Sequence, residues 1–491
     1  MGNEGAQFIS DCLKSNSKLT FFGLSGNSMG NEGAQFISEC LSSNSTITSV
    51  NFEGNHMELG IMNFLNCLLN KQSTLDLSRN KIGCTAIQFI TKYLSSNSTI
   101  TKINLAENQI GNEGIPFISL CLRSNSTLTS LDLRKNGIGN SGLHSLLDFL
   151  RSNTTINSLD LTGNEIEEGI ATFIHFLIRK DSTVDLSKIH NKSIGIEGVR
   201  FISDSLTSNS SITSLNLSKV SIGNELHLIL ESLKHNKAIT TIDLTGMGQK
   251  ISDKDAILIS ECLRFNSTIK SILLPNNNIG PSGIKCITES LKSNSTVTEI
   301  DLEWNRISDP KSSSPDGAKW ISDCLKFNSK ISTILLGSNS IDLKGIEHIL
   351  ESLKSNPTVT TISLGSSSIS NPGAKIIANF LKSNTTIAFL RLRSSKIGNE
   401  GAGYISECLK VNSTLKSLDL RVNVIENNGA KFISECFALN STLTEINLEK
   451  NRITHEGAEY LLDGLRRNST VSVYLKDNSD IKISATARLH L

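Results

Sequence analysis

This chain has almost no excess of charge: its 491 residues carry 48 Lys plus Arg against 47 Asp plus Glu, a formal net of +1. That balance gives no global electrostatic reason to bind nucleic acid or a membrane surface. Only seven prolines occur, and no long Gly/Ser or charged tract, so no linker or disordered tail is expected. Long hydrophobic runs are missing too. The longest uncharged apolar stretch, Gly169 to Ile178, includes His175 and reaches about half the length of a membrane-spanning helix. The opening residues are polar and lack a secretory core, and Ala6 stands where a myristoylation motif wants Ser or Thr. A cytoplasmic location is the expectation.

The marks of catalysis are absent as well. No GxxxxGK[ST] phosphate loop exists, and Gly246-Met247-Gly248 lacks the rest of a dinucleotide fingerprint. Nine histidines are scattered, none paired with Ser or Cys in a recognisable nucleophile setting. Ten cysteines are present, but without CxxC or Cys/His ligand spacing. Cys12, Cys40, Cys121, Cys262, Cys324 and Cys408 each precede a Leu that closes a helical stretch, and Cys436 precedes Phe437 in the same slot. Neighbours on adjacent packed helices lie about 10 Å apart, beyond disulfide reach. They read as buried free thiols. The sequence thus predicts no enzyme, no cofactor, no metal site and no small-molecule substrate.

What is present is repetition. Met1–Ser10 reads MGNEGAQFIS, and the same string returns at Met29–Ser38, with echoes near Ile110, Ile138 and Ile397. A fixed period of 28 residues marks a solenoid, in which each unit covers the hydrophobic face of the next. In the unit beginning at Leu128, the alternation Leu131, Asp132, Leu133 predicts a short strand with the leucines inward. Leu143, Leu146, Leu147 and Leu150 then follow a helical stripe, and Asn153 ends it. The first residues read as a helix whose own strand is missing, so Met1 is an ordinary repeat position and the chain reads as a piece of something longer.

Leu128, Leu131 and Leu133 fit L-x-x-L-x-L, with Asn136 and Ile138 at the expected spacing. On these residues the chain resembles the leucine-rich repeat family, in its ribonuclease-inhibitor-like subtype, and is similar to the repeat regions of NOD-like receptors. The resemblance covers essentially the whole chain: a partial repeat over 1–18, about sixteen repeats over 19–470 and a degenerate end over 471–491. It implies an α/β horseshoe, with a parallel sheet of roughly 75 Å on the concave side and helices on the convex side. It also implies that Asn27, Asn55, Asn80, Asn108, Asn136, Asn164, Asn277, Asn305, Asn339, Asn423 and Asn451 turn inward to bond backbone. Val220, Met247, Ser367 and Ser395 break that column, and local irregularity is expected there. Spacing shortens between Asn55 and Asn80, and Pro310–Pro315 inserts six residues. The stretch 181–256 is the expected hinge.

Two columns invite chemical readings. Acids and amides at Asn51, Asp76, Asn104, Asp132, Asp160, Asp185, Asn216 and Asp243 are too sparse per strand for Ca²⁺ and read as a solvated column. Sequons at Asn44, Asn97, Asn125, Asn153, Asn266, Asn294, Asn384, Asn412, Asn440 and Asn468 fall in one slot, the helix end. Asn356-Pro357 keeps that slot but forbids a glycan, so a structural role is expected.

The outward strand positions stop being interchangeable after about residue 260. Before it they offer groups such as Ser78, Thr162, Ser187, Ser218 and Thr245; after it come Pro275, Glu299, Asp301 and Lys416. Leu273, Glu303, Trp304, Leu335, Phe389, Arg391, Arg393 and Arg421 are the predicted partner-binding residues. An acidic-aromatic patch beside a basic one suits a protein partner. A protein-interaction scaffold is therefore the expected function. The alternatives are a Ran-type GTPase-activating protein, a ligand-sensing repeat region of a NOD-like receptor, or a ribonuclease inhibitor. The basic end IKISATARLHL differs from the acidic tail of the GTPase activators.

Overall fold

The computed structural model describes residues 2–152, 154–308, 317–365, 369–468, 470–479, 481 and 488–491. Asn153, the Pro310–Pro315 insertion, Ser367 and the proposed repeat position of Met1 lie outside them. The chain forms two compact units, Met1–Ile212 and Thr213–Leu491. Their boundary falls inside the stretch 181–256. Each unit alternates helix and strand, and all strand pairings within the units are parallel. This is an α/β solenoid.

Unit 1 runs α1 (Asn3–Ser15), β1 (Phe21–Gly23), α2 (Asn31–Ser43), β2 (Ser49–Asn51), α3 (Leu59–Leu69), β3 (Thr74–Asp76), α4 (Cys84–Leu94) and β4 (Lys102–Asn104). It continues with α5 (Gly111–Ser124), β5 (Ser130–Asp132), α6 (Asn140–Leu143), α7 (Leu147–Ser152), β6 (Ser158–Asp160), α8 (Glu168–Arg179), β7 (Thr183–Asp185) and α9 (Ile196–Ser208). The helix predicted from the leucine stripe is split by a 3₁₀ turn at His144–Leu146, yet Leu143, Leu146, Leu147 and Leu150 are all buried.

Sheet pairing in unit 1 is interrupted between β2 and β3 and between β6 and β7. The continuous sheet expected from the sequence therefore needs correction there. Both breaks fall where strand-to-strand spacing drops to 25, from Asn51 to Asp76 and from Asp160 to Asp185. With three residues fewer, the chain leaves its helix through a left-handed lysine, Lys71 at φ 50° or Lys180 at φ 57°. Irregularity was expected instead at Val220 and Met247. Both are buried apolar residues, and β8 to β10 pair without a gap.

Unit 2 carries β8 (Ser214–Asn216), α10 (Leu226–His235), β9 (Thr241–Asp243), α11 (Asp253–Phe265), β10 (Ser271–Leu273), α12 (Pro281–Ser293), β11 (Glu299–Asp301) and α13 (Gly317–Phe327). Next come β12 (Thr333–Leu335), α14 (Leu343–Leu353), β13 (Thr361–Ser363), α15 (Ser370–Leu381), β14 (Phe389–Arg391), α16 (Asn399–Leu409) and β15 (Ser417–Asp419). The unit ends with α17 (Asn427–Phe437), β16 (Glu445–Asn447), α18 (His455–Arg466), β17 (Ser472–Tyr474) and β18 (Leu489–His490). Strands β8 to β18 pair in chain order, each central residue inward against its neighbour, as Ile272 is to Ile300.

The predicted asparagine column does what its chemistry allows. The Asn339 amide donates to the carbonyls of Leu302 (2.8 Å), Leu336 (2.9 Å) and Gly337 (3.1 Å). Its carbonyl accepts from the N–H groups of Asn305 and Ile307. Asn108, Asn305 and Asn423 make the same stitches to the repeat before, Asn136 does so through its amide nitrogen while its side-chain oxygen is buried without a partner, and Asn478 joins the column. Ser395 keeps only a weak 3.4 Å bond to Arg393.

The sequon slot forms a second ladder. Asn44, Asn125, Asn266, Asn294, Asn412, Asn440 and Asn468 each donate to the last turn of the preceding helix. Asn328 and Asn356, which cannot be glycosylated, donate in the same way. A side-chain nitrogen committed to two carbonyls in a repeat junction is not presented to solvent.

The cysteines Cys40, Cys121, Cys262, Cys324, Cys408 and Cys436 are buried, as expected, whereas Cys12 is exposed on α1. Burial pushes the Cys121 thiol up to about 11 and those of Cys262, Cys324, Cys408 and Cys436 to about 12. Among the described residues no helix is long and apolar enough to cross a membrane.

Two outcomes follow from this packing. Asn339→Ala strands buried donors and acceptors on two repeats and should lower stability by about 2–4 kcal/mol, read by urea unfolding. A thiol reagent added to the native chain should modify Cys12 first, leaving the thiols of Cys262, Cys324, Cys408 and Cys436 unreacted until denaturant is added.

Candidate functional site

Along each strand the first and third residues point outward, so register stacks them into columns across the sheet. The third position reveals why acids and amides recur. The side-chain oxygen of Asn51, Asp76, Asn104, Asp132, Asp160, Asp185, Asn216 or Asp243 accepts the N–H two residues on, at 2.8–3.0 Å. Each closes its own turn rather than bonding a neighbouring strand. Either residue type works, because each presents the same oxygen.

From β2 to β9 this column is unbroken. From β10 onward it lapses repeatedly, to Leu273, Leu335, Ser363, Arg391 and Tyr474. Asp301, Asp419 and Asn447 retain the turn. Giving up one such hydrogen bond costs about 0.5–1.5 kcal/mol. Four of the five lapses fall between β10 and β14.

There the face sinks into a depression of about 810 Å³. Its floor is short: Thr333, Thr361 and Ser363, flanked by Gly337 and Gly365. Glu299 and Glu303 stand on one side, and Phe389, Arg391, Arg393 and Arg421 on the other. The Glu299 carboxylate accepts from the Ser271 hydroxyl at 2.8 Å, and the Glu303 carboxylate reaches over Gly337 to accept from Ser363. A Cβ on Gly337 would lie 2.9 Å from that carboxylate, so glycine is needed for the crossing. Between the two glutamates, burial pushes the Asp301 carboxyl up to about 6. The adjacent negative charges of Glu303 and Glu299 add to the rise, and Arg391 opposes it.

On the basic side, Arg421 is clamped by Asp419, with Nη2 to Oδ2 at 2.7 Å. Arg391 is exposed and stands in register between Ser363 and Asp419. Its guanidinium forms no hydrogen bond or ion pair among the described residues, while its backbone carbonyl accepts from the Leu364 N–H. Phe389 is 45% exposed.

Of the eight predicted partner-binding residues, the structure gathers Glu303, Phe389, Arg391, Arg393 and Arg421 around this depression. Leu273 lies half-buried on β10, outside it. Leu335 needs correction. It was read as an exposed leucine but is 7% exposed, in register between Asp301 and Ser363, and adds apolar floor rather than contact surface. Trp304 sits on the turn after β11, next to Glu303, 62% exposed at φ 57°. That left-handed slot before the ladder position recurs through the chain and is filled by Gly26, Gly54, Gly163 and Gly246 in some repeats and by Arg79, Glu107, Lys135, Val422 or Lys450 in others. What sets Trp304 apart is its large apolar ring, which gains nothing from burial there. Ser363, Asp419, Glu445 and Asn447 also line the depression and were not singled out. Aligning the strand columns position by position would have found them.

The family profile described as Leucine Rich repeat matches residues 15–38, 96–118, 124–147, 152–172, 293–310, 411–434 and 439–462. No curated protein sequence matches the chain. Among solved structures the chain is similar to an internalin from Listeria monocytogenes, at 17% identity over 85% of this chain and 89% of that one, with a TM-score of 0.35. It is also similar to the leucine-rich repeat-containing protein LegL7 from Legionella pneumophila, at 17% identity over 62% and 94%, with a TM-score of 0.40. At those scores neither likeness carries an argument about function.

The buried carboxyl gives a signed expectation. The folded chain holds the Asp301 proton more tightly than the unfolded chain, so its contribution to stability falls as pH rises from about 4 to 6. Asp301→Asn keeps the turn acceptor and loses that penalty. Its thermal midpoint should exceed that of the parent at pH 7.5 and match it near pH 4; an unchanged difference across that range would exclude the buried charge as its cause.

Proposed function

We propose that this leucine-rich repeat protein is a non-enzymatic protein-interaction scaffold whose partner docks on the outward sheet face of unit 2. Leucine-rich repeat proteins generally serve as interaction scaffolds, and the reading for this chain rests on one observation. The repeats that abandon the turn-closing acid or amide flank a depression walled by unlike charges. Those departures, and the exposed ring of Trp304, do nothing for the solenoid. Exposed aromatic and arginine side chains are the types that anchor protein interfaces.

Trp304→Gly relieves the left-handed backbone while deleting the ring, so it should fold at least as well as the parent. Arg391→Glu, Arg393→Glu and Arg421→Glu reverse the basic side. Partner recovery in a pull-down should fall about tenfold or more for the combined charge reversal and measurably for Trp304→Gly. Undiminished recovery by variants with native circular dichroism would refute docking on this face.

A further inference from the structure

The two charged sides of the depression do not neutralise each other. Asp301 on β11 and Arg391 on β14 share a row, separated by Leu335 and Ser363 on the strands between. Three strand steps put their backbones roughly 14 Å apart. No ion pair joins the two sides among the described residues, and Arg391 acts on Asp301 only through space. Glu299, Asp301 and Glu303 form no ion pair among the described residues; the two glutamates are held by serine hydroxyls instead. The strands between the sides carry Thr333, Leu335, Thr361 and Ser363 at these positions, and no charge.

A surface of this kind discriminates by sign and by distance. A polyanion such as nucleic acid would meet three carboxylates on one side, and a purely basic segment would meet Arg391, Arg393 and Arg421 on the other. A ligand satisfies both only if it carries both charges at the matching separation. An extended chain advances about 3.3 Å per residue and returns to one face every second residue, so positions i and i+4 present two side chains on one face about 13 Å apart.

Building on the scaffold reading, we infer that the depression receives an extended protein segment crossing β11 to β15. One basic side chain of that segment faces Glu299 and Glu303, and an acidic side chain four positions away faces Arg391, Arg393 and Arg421. Phe389, exposed beside the arginines, offers an apolar contact for the residue two positions from the acid, which returns to the same face.

The probe is a random twelve-residue peptide library displayed on phage, panned on the full chain near physiological salt. Parallel panning uses a Glu299→Gln/Glu303→Gln variant and an Arg391→Glu/Arg393→Glu variant, each checked for native melting. Recovered peptides should be enriched in Lys or Arg spaced four positions from Asp or Glu, and should lose about tenfold in affinity on either variant. Moving the acid to the adjacent position in a recovered peptide should cost a similar factor. Peptides of a single charge sign, or no enrichment over an unrelated chain, overturn the inference. Uncharged peptides that lose affinity only on Phe389→Ala or Trp304→Gly overturn it while leaving docking on this face intact. Peptides indifferent to all four variants overturn both.

Discussion

Most strands in this chain end in a turn whose backbone carbonyls and N–H groups face the interior, and one asparagine amide satisfies them. Asn339 shows the arithmetic of the group: its two N–H donors reach carbonyls of its own turn and of the repeat before, and its oxygen takes two N–H groups. Because three of these four partners belong to the preceding repeat, the amide is also the register pin between repeats. The helix-end asparagines repeat the device at the other end of the strand, as Asn440 does toward Leu409 and Asn412. Apolar burial is non-directional and would tolerate sliding; these bonds do not.

The same constraint explains where the stack is interrupted. Asn80 follows the shortened spacing before β3, and its amide reaches Ser78 rather than a carbonyl one repeat back. Asn97, also next to that break, turns to the Tyr93 hydroxyl and Thr99 instead of a preceding helix end. Lengthening a return elsewhere does no such harm, because surplus chain bulges into solvent. A deficit of three residues cannot be accommodated that way, so short repeats break pairing where apolar substitutions such as Val220 do not.

Much of this was legible in sequence, and the reason is periodicity. Leu131, Leu133, Asn136 and Ile138 recur in fixed positions because each is buried against its own copies, so one repeat read correctly gives the rest. The second short spacing, from Asp160 to Asp185, escaped notice because Asn164 has no ladder partner after it against which to measure. The site was legible in composition and not in placement. Phe389, Arg391, Arg393 and Arg421 declared themselves by charge and ring, whereas Leu335 looked exposed from its alternation alone. Its burial depends on strands 28 and 34 residues away, which no local pattern reports.

Both ladders sit at the ends of the strands, and neither uses the outward face. That division leaves the face nearly free of structural duty: its one recurrent task is the acid or amide that closes the turn. Where the chain drops even that, at Leu273, Leu335, Ser363 and Arg391, the sheet still pairs without a gap; Asn277, Asn339 and Asn423 of the ladder and Asn356 and Asn412 of the helix ends bond the repeat before. The exposed ring of Trp304 stands at the same edge. Selection for stability alone would restore the acid or amide in that column and would not favour that ring in solvent. Their concentration around one charge-divided depression is what a surface shaped for a partner looks like, and the ladders behind it are what allow the surface to be shaped.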